Sequence, residues 1–272
     1  MHPILFRIGS FAVHSYGVLI LCGFLLGLWY AMSFARRKMN LPPLPGKNHI
    51  TPDNVFDFSL IALFLGIAGA RILFVLLNIP YYLKSPGQIL AIWNGGLSIF
   101  GSIVLGIVWI YWYGKRHNLS AMELGDILAP GFAIGYAVGR IGCFLNGCCY
   151  GNACGYPWGV VFPDAGPIHR HPTELYATAM NLVFFVILDR MSRRRLKPGV
   201  MFLSYLLMYC IGRFIEEQFR KGATADLFMY GLTQAQAFIV LCVPFILYFL
   251  YRVLKRPAFA ESAEPESAGK SS

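Results

Sequence analysis

His14-Ser15-Tyr16-Gly17-Val18-Leu19-Ile20-Leu21-Cys22-Gly23-Phe24-Leu25-Leu26-Gly27-Leu28-Trp29-Tyr30-Ala31-Met32-Ser33-Phe34-Ala35 runs without an Asp, Glu, Lys or Arg and then meets Arg36-Arg37-Lys38. A helix of about 20 mainly apolar residues spans the ~30 Å hydrocarbon core of a bilayer. The cations at its foot belong among cytoplasmic headgroups. A signal peptide would need a charged start, a short apolar run and a small-residue cleavage site. This segment has a polar head and a basic foot, and reads as a retained helix.

The same pattern recurs outward from this stretch. Spans are expected at 13–34, 55–77, 96–113, 124–145, 173–189, 199–218 and 233–251, separated by turn residues such as Pro42, Pro43, Pro80, Pro157 and Pro198. The 272-residue chain is 57% hydrophobic and only 13% charged. Soluble domains average roughly 25% charged residues, so much of this chain faces lipid. Its net charge of +10 sits between apolar runs. Lipid headgroups and topology explain that placement better than nucleic acid does.

Lys and Arg set the orientation. One set of loops holds Arg36, Arg37, Lys38, Lys47, Lys115, Arg116, Arg190, Arg193, Arg194, Arg195, Lys197, Arg252, Lys255, Arg256 and Lys270. The other holds Arg7, Lys84, Arg170, Arg220 and Lys221. The positive-inside rule makes the richer set cytoplasmic. The expected fold is therefore an all-α membrane protein of seven transmembrane helices, N terminus outside and C terminus cytoplasmic. No internal repeat points to a secondary transporter.

Arg71, Arg140 and Arg213 remain inside apolar spans. An arginine at the bilayer centre costs at least about 2.5–3.5 kcal/mol and normally faces a cavity or a partner. In this topology all three lie in the outward halves of their helices. The outer starts of other helices carry His14 with Tyr16, Asn94 with Ser98, and His171 with Glu174. Polar groups of six helices are thus expected to converge on a central cavity opening toward the outer leaflet. A cationic cavity there suits an anionic phospholipid headgroup, because the guanidinium fork binds phosphate oxygens in pairs.

Tyr209, Arg213 and Glu217 are spaced by four and share one face of the sixth span. An internal ion pair that makes a buried charge tolerable is the structural alternative. Arg71 stands alone, which favours a structural or topological role. Asp57 and Asp126 lie toward the inner ends of their spans and read as structural. His14 and His171 are candidate bases near neutral pH. Arg140 lies in Gly139-Arg140-Ile141-Gly142-Cys143-Phe144-Leu145-Asn146-Gly147-Cys148-Cys149-Tyr150-Gly151. So many glycines at a helix end imply close backbone approach and a tight turn outside. Cys143, Cys148, Cys149 and Cys154 cluster at the outer face, where a disulfide such as Cys149 with Cys154 is chemically possible. A metal site is the sharper alternative, but the spacing is not a repeated C-x-x-C.

On these residues the chain resembles the prolipoprotein diacylglyceryl transferase family, from about Ile8 to Tyr251. The 139–151 segment is close to the family's Gly-Arg-x-Gly-Asn-Phe-x-Asn-Gly-Glu-x-x-Gly signature. Further matches are His14-Ser15-Tyr16-Gly17, Gly95-Gly96-Leu97-Ser98, His171-Pro172-Thr173-Glu174-Leu175-Tyr176, and Tyr209 with Arg213 and Glu217. The resemblance implies transfer of the diacylglyceryl group of phosphatidylglycerol to the lipobox cysteine of a prolipoprotein, forming a thioether and releasing glycerol 1-phosphate. It implies essential roles for Arg140 and Arg213, with Tyr16, Tyr209 and Glu217 as functional groups.

The expected catalytic groups are Arg213, Glu217, Tyr16, Tyr209 and His14. The expected substrate-binding groups are Arg140, Asn146, Gly151, Gly95, Gly96, Ser98 and His171. No metal or organic cofactor is indicated. Residues 1–256 would form the polytopic transferase domain and 257–272 a disordered cytoplasmic tail. The expected partners are phosphatidylglycerol, a prolipoprotein and the bilayer, without nucleic acid. The expected location is the bacterial cytoplasmic (inner) membrane, with the site toward the periplasm.

Three departures from the family pattern stand out. Phe100 occupies the place of a histidine that the resemblance links to thiol activation, and Cys143 and Cys148 replace the signature asparagine and glutamate. The alternative reading is a diverged relative that transports an anionic lipid or solute. A transporter would show polar groups at several depths, whereas here they gather on one side. A retinal protein would need a lysine in a span, and a zinc protease an H-E-x-x-H pair; neither occurs.

Overall fold

A computed structural model describes residues 1–8, 11–92, 95–220, 227–229 and 231–255. Its helices are α1 (Ser15–Lys38), α2 (Pro52–Leu77), α3 (Ile79–Lys84), α4 (Ile99–Arg116), α5 (Ala121–Asn146), α6 (Thr173–Ser192), α7 (Val200–Glu217) and α8 (Gln234–Lys255). Among the described residues, all but α3 reach 18 residues, and each expected span overlaps one of these longer helices with ends shifted by up to four residues. Five of them, α1, α2, α5, α6 and α8, are long and apolar enough to cross a membrane. The protein is an α-helical, multi-pass membrane protein. Helices α4 and α7 have 18 residues each, and α7 ends on Arg213, Glu216 and Glu217. The expected tail over 257–272 and Asn94 lie outside the described residues.

Short strands join the helices of this all-α fold. Three antiparallel ribbons join the helices: β1 (Ile4–Ile8) with β2 (Phe11–His14), β3 (Val160–Val161) with β4 (His169–Arg170), and β5 (Leu227–Met229) with β6 (Leu232–Thr233). Strands of two to five residues are too short to carry a readable period-2 pattern.

Local chemistry sets the helix ends. Thr51 and Asn54 form a capping box at the start of α2, and Ser120 accepts from the Glu123 amide at the start of α5. Helix α5 ends at Gly147 in the left-handed region, φ 75°. Helix α7 is capped from a distance: buried Asp126 on α5 accepts from the Gly199 amide at 2.7 Å and the Phe202 amide at 2.8 Å. Asp126 is thus structural, as its position suggested.

Helix α5 is the hub, packing on α1, α4, α6 and α7. Glycines set its closest approach. A Cβ placed on Gly27 of α1 would lie 2.5 Å from the Gly131 carbonyl oxygen of α5, and one on Gly131 would lie 2.5 Å from that of Gly27. Lipid tails give helices no hydrophobic reason to associate, so close backbone packing must supply the contact. Apolar packing concentrates at one end of the bundle, around Phe34, Val55, Tyr113, Leu124, Ile127 and Leu188. The end of α5, the start of α6 and the end of α7 lie at the other end. There the buried side chains include Arg140, His171, Glu174, Glu216 and Glu217.

Candidate active site

Arg140, near the end of α5, donates from Nη2 to Glu216 Oε1 of α7 at 2.5 Å. Glu216 Oε2 lies 3.5 Å from Arg213 Nη1, and Arg213 Nη2 lies 2.5 Å from Glu217 Oε2. Spacings of three and four hold these three residues of α7 on one face. One carboxylate therefore bridges two guanidiniums from different helices. Two positive and two negative groups balance, which offsets part of the heavy cost of burying each alone.

The cluster is not saturated. Among the described residues, Arg140 Nε, Arg213 Nη1 and both carboxyl oxygens of Glu174 are buried without a hydrogen-bond partner. Glu174 opens α6, is fully buried, and lies within electrostatic reach of Arg140 and Glu216. Buried polar atoms are nearly always bonded in native proteins. So many open donors and acceptors around one point fit a polar ligand.

Aromatic rings wall this point. The Arg140 guanidinium lies 5.8 Å from the Tyr136 ring centre, and Tyr136 meets Tyr209 edge-on at 5.8 Å. Tyr16, at the start of α1, is within electrostatic reach of Arg140, Cys143, Cys148 and Cys149. Asn146 closes α5, one turn beyond Cys143. His171 is buried, with Nδ1 3.0 Å from the Tyr176 hydroxyl. Together with Tyr156, Trp158, Tyr176, Phe219 and Glu216 it lines an apolar cavity of about 530 Å³. Gly151 backs His171: its amide donates to the His171 carbonyl at 2.9 Å, and a Cβ there would collide with the Phe219 backbone.

The structure thus brings together Arg140, Arg213, Glu217, Tyr209, Tyr16, Asn146, His171 and Gly151. It puts the remaining predicted residues elsewhere. Arg71 Nη1 donates to the Gly95 and Gly96 carbonyls at 2.6 and 2.9 Å. Its other nitrogens donate to Gln88, Ile89 and Ala91. The Ser98 amide donates to the Ala70 carbonyl at 3.0 Å. Gly95, Gly96 and Ser98 therefore belong to a clamp that Arg71 fastens onto the segment before α4. Among the described residues no hydrogen bond or ion pair joins this clamp to Arg140. His14 is exposed at the end of β2, paired with Ile4 of β1. Phe100 packs edge-on against Phe238 of α8, 5.4 Å between ring centres.

All seven cysteines are free thiols, Cys149 and Cys154 included. The Sγ atoms of Cys143, Cys148 and Cys149 lie within 4.8 Å of one another, with 3.4 Å between Cys148 and Cys149. Cys149 adopts φ 71°, in the left-handed region. The Cys148 thiol donates to the Cys143 carbonyl oxygen at 3.7 Å and accepts from the Cys149 thiol.

Sequence reasoning missed Glu216 and Tyr136, and it read Glu174 only as a polar helix start. Glu216 carried a signal, the i+3 spacing from Arg213, but Glu217 carried an equally good one at i+4. Arg213 meets both, and only the approach of α5 shows that Glu216 also holds Arg140.

Comparison with known proteins identifies the family. The family model for prolipoprotein diacylglyceryl transferase matches residues 3–254. Curated relatives carry the name phosphatidylglycerol–prolipoprotein diacylglyceryl transferase. One from Rhodospirillum centenum is 35% identical, over 98% of this chain and 95% of its own length. One from Streptococcus agalactiae is 34% identical over 93% and 96%, and one from Nitratidesulfovibrio vulgaris 35% over 94% of each.

Proposed function

The chain belongs to the prolipoprotein diacylglyceryl transferase family, and on that premise we propose how its buried charges carry the transfer. The protein is a transferase that moves the diacylglyceryl group of phosphatidylglycerol onto the lipobox cysteine of prolipoproteins. The thiol sulfur attacks the glyceryl carbon that bears the phosphate ester. A C–S bond forms, the C–O bond breaks, and glycerol 1-phosphate leaves.

One observation carries the residue assignment: Glu216 holds Arg140 and Arg213 side by side while each keeps a buried N–H without a hydrogen bond. A phosphodiester offers two anionic oxygens to such a pair. Arg140 holds the phosphate, and Arg213 meets the charge that grows as the phosphate departs, where a preorganised donor lowers the barrier most. Glu216 and Glu217 fix the two forks. Tyr16 and Tyr209 line the headgroup region, with Asn146 and Gly151 shaping its rim. His14 and His171 are the candidate proton acceptors, His171 better placed because it shares a cavity wall with Glu216. That cavity suits an acyl chain or the apolar lipobox side chains. Gly95, Gly96 and Ser98 belong to the Arg71 clamp, outside this cluster.

In this reading all seven long helices cross the bacterial inner membrane, with the N terminus outside, the C terminus cytoplasmic and the site facing the periplasm through a central cavity. Residues 1–256 form the membrane domain and 257–272 a cytoplasmic tail. Nothing favours the transport alternative. The test is mass spectrometry of a lipobox peptide incubated with the purified protein and phosphatidylglycerol. A diacylglyceryl mass gain on the peptide cysteine, lost in Arg140→Ala, is expected. No gain from folded protein sinks the proposal.

A further inference from the structure

The thiols of Cys143, Cys148 and Cys149 have no part in the mechanism above, yet the fold goes to some length to gather them. Cys143 comes from the last turns of α5, while Cys148 and Cys149 come from the chain just after it turns at Gly147. Cys149 holds a left-handed backbone that disfavours any residue with a Cβ, at a cost of about 1–2 kcal/mol. The result is three sulfurs within 4.8 Å of one another, none in a disulfide. Around a four-coordinate zinc, with Zn–S near 2.3 Å, sulfurs stand roughly 3.8 Å apart. Small side-chain rotations would reach that spacing.

From this geometry we infer that Cys143, Cys148 and Cys149 form a three-thiolate site for a thiophilic cation of the zinc class, whose open fourth position takes the substrate thiol. The inference rests on the transferase reading and departs from the expectation of no metal. The charges support it. A dication with three thiolates carries a net −1, and Arg140 lies within electrostatic reach of Cys143 and Cys149 to offset it. The position supports it as well. All three thiols are only partly buried, so an incoming ligand can reach them, and Arg140 also serves the phosphate cluster. Three protein ligands with one open position is the arrangement of catalytic rather than structural zinc.

The chemistry follows. A thiol that coordinates such a cation loses its proton, here to water at the exposed face. The resulting thiolate supplies the electron pair for the C–S bond. The pair of the breaking C–O bond leaves on the phosphate oxygen, and the metal's oxidation state does not change. This gives the chain a way to activate the nucleophile without a base at Phe100. A free thiol with a pKa of about 8.5 is only a few per cent thiolate at pH 7, so coordination leaves room for roughly thirtyfold more nucleophile.

The test uses the full-length protein, stripped by chelator under reductant and titrated with Co²⁺ as a coloured stand-in for Zn²⁺. One equivalent should bind with thiolate-to-cobalt charge-transfer bands, be displaced by Zn²⁺, and fail to bind in Cys143→Ser and Cys148→Ser. Cys22→Ser should bind normally and controls for folding. A lipobox peptide should shift the cobalt spectrum, and its Cys→Ser version should not. Zinc-loaded protein should lipidate the peptide at least about tenfold faster than stripped protein, within the thiolate gain available. Absence of thiolate–cobalt bands, or their persistence in both variants, overturns the site. Equal rates with and without metal overturn its role and leave the transferase reading standing. A peptide-induced spectral shift with no lipidation supports the site and sinks the transferase reading instead.

Discussion

Arg71 and Arg140 are both cations in the outward half of an apolar span, and only the glycine-rich surroundings of Arg140 separate them in the sequence. Their partners separate them. Arg71 spends its guanidinium on five backbone carbonyls of residues 88–96. Arg140 spends one nitrogen on Glu216 and keeps Nε unbonded. Hydrogen bonds to a charged group are worth about 1.5–3 kcal/mol each, so Arg71→Met should remove several kcal/mol of stability. The expected result is a clear drop in thermal midpoint in detergent, with turnover per folded molecule largely kept. Arg140→Lys should do the reverse, holding the midpoint while peptide lipidation falls by roughly a hundredfold, the scale of losing one aimed donor. Equal behaviour of the two variants in both assays would dismiss the division of labour. A lysine cannot substitute, because it offers a point charge where a fork is needed.

At the scale of the element, helix α2 contains its own control. A Cβ at Gly69 would lie 2.5 Å from the Gly101 carbonyl oxygen of α4, whereas one at Gly66 meets nothing within 4 Å. Forcing extra volume into a packed contact costs about 1–3 kcal/mol. Gly69→Ala should therefore lower the thermal midpoint, while Gly66→Ala, three positions away on the same helix, should leave it unchanged. Two midpoints that move together would show that helix propensity rather than the α2–α4 contact decides. The same logic explains why α5 is the hub. Its glycines let α1 approach closely enough to bring Tyr16 beside Arg140.

Across the whole molecule, apolar packing gathers at one end of the bundle and, apart from the helix-capping Asp126, the buried charges gather at the other. That polarity suits a reaction confined to one leaflet. The proposed orientation, with the basic loops cytoplasmic, would put Lys84 at the end of α3 on the periplasmic side and Lys47 on the cytoplasmic side. In intact cells, Lys84→Cys should take up a membrane-impermeant maleimide above the level of the parent chain. Lys47→Cys should do so only after permeabilisation. The opposite pattern would turn the protein over and move the active site to the inner leaflet.

Much of this was legible in the chain itself. The apolar runs and their basic feet fixed the membrane class and the helix positions, because crossing lipid demands length and hydrophobicity that no other task requires. The sequence motifs likewise determined the family. Partnership was not legible. Nothing local names Glu216 as the partner of Arg140, while Arg213 meets both Glu216 and Glu217 along its own helix. Gly95 and Gly96 match a family motif yet turn their carbonyls to Arg71. Which charge meets which depends on how closely two helices far apart in sequence approach, and glycine contacts between α5 and its neighbours set that distance. The gathering of Cys143 with Cys148 and Cys149 likewise needed the left-handed turn after α5. Local sequence sets where a helix runs, but only tertiary packing decides which of its buried polar groups find each other, because their pairing energies exist only at contact distance.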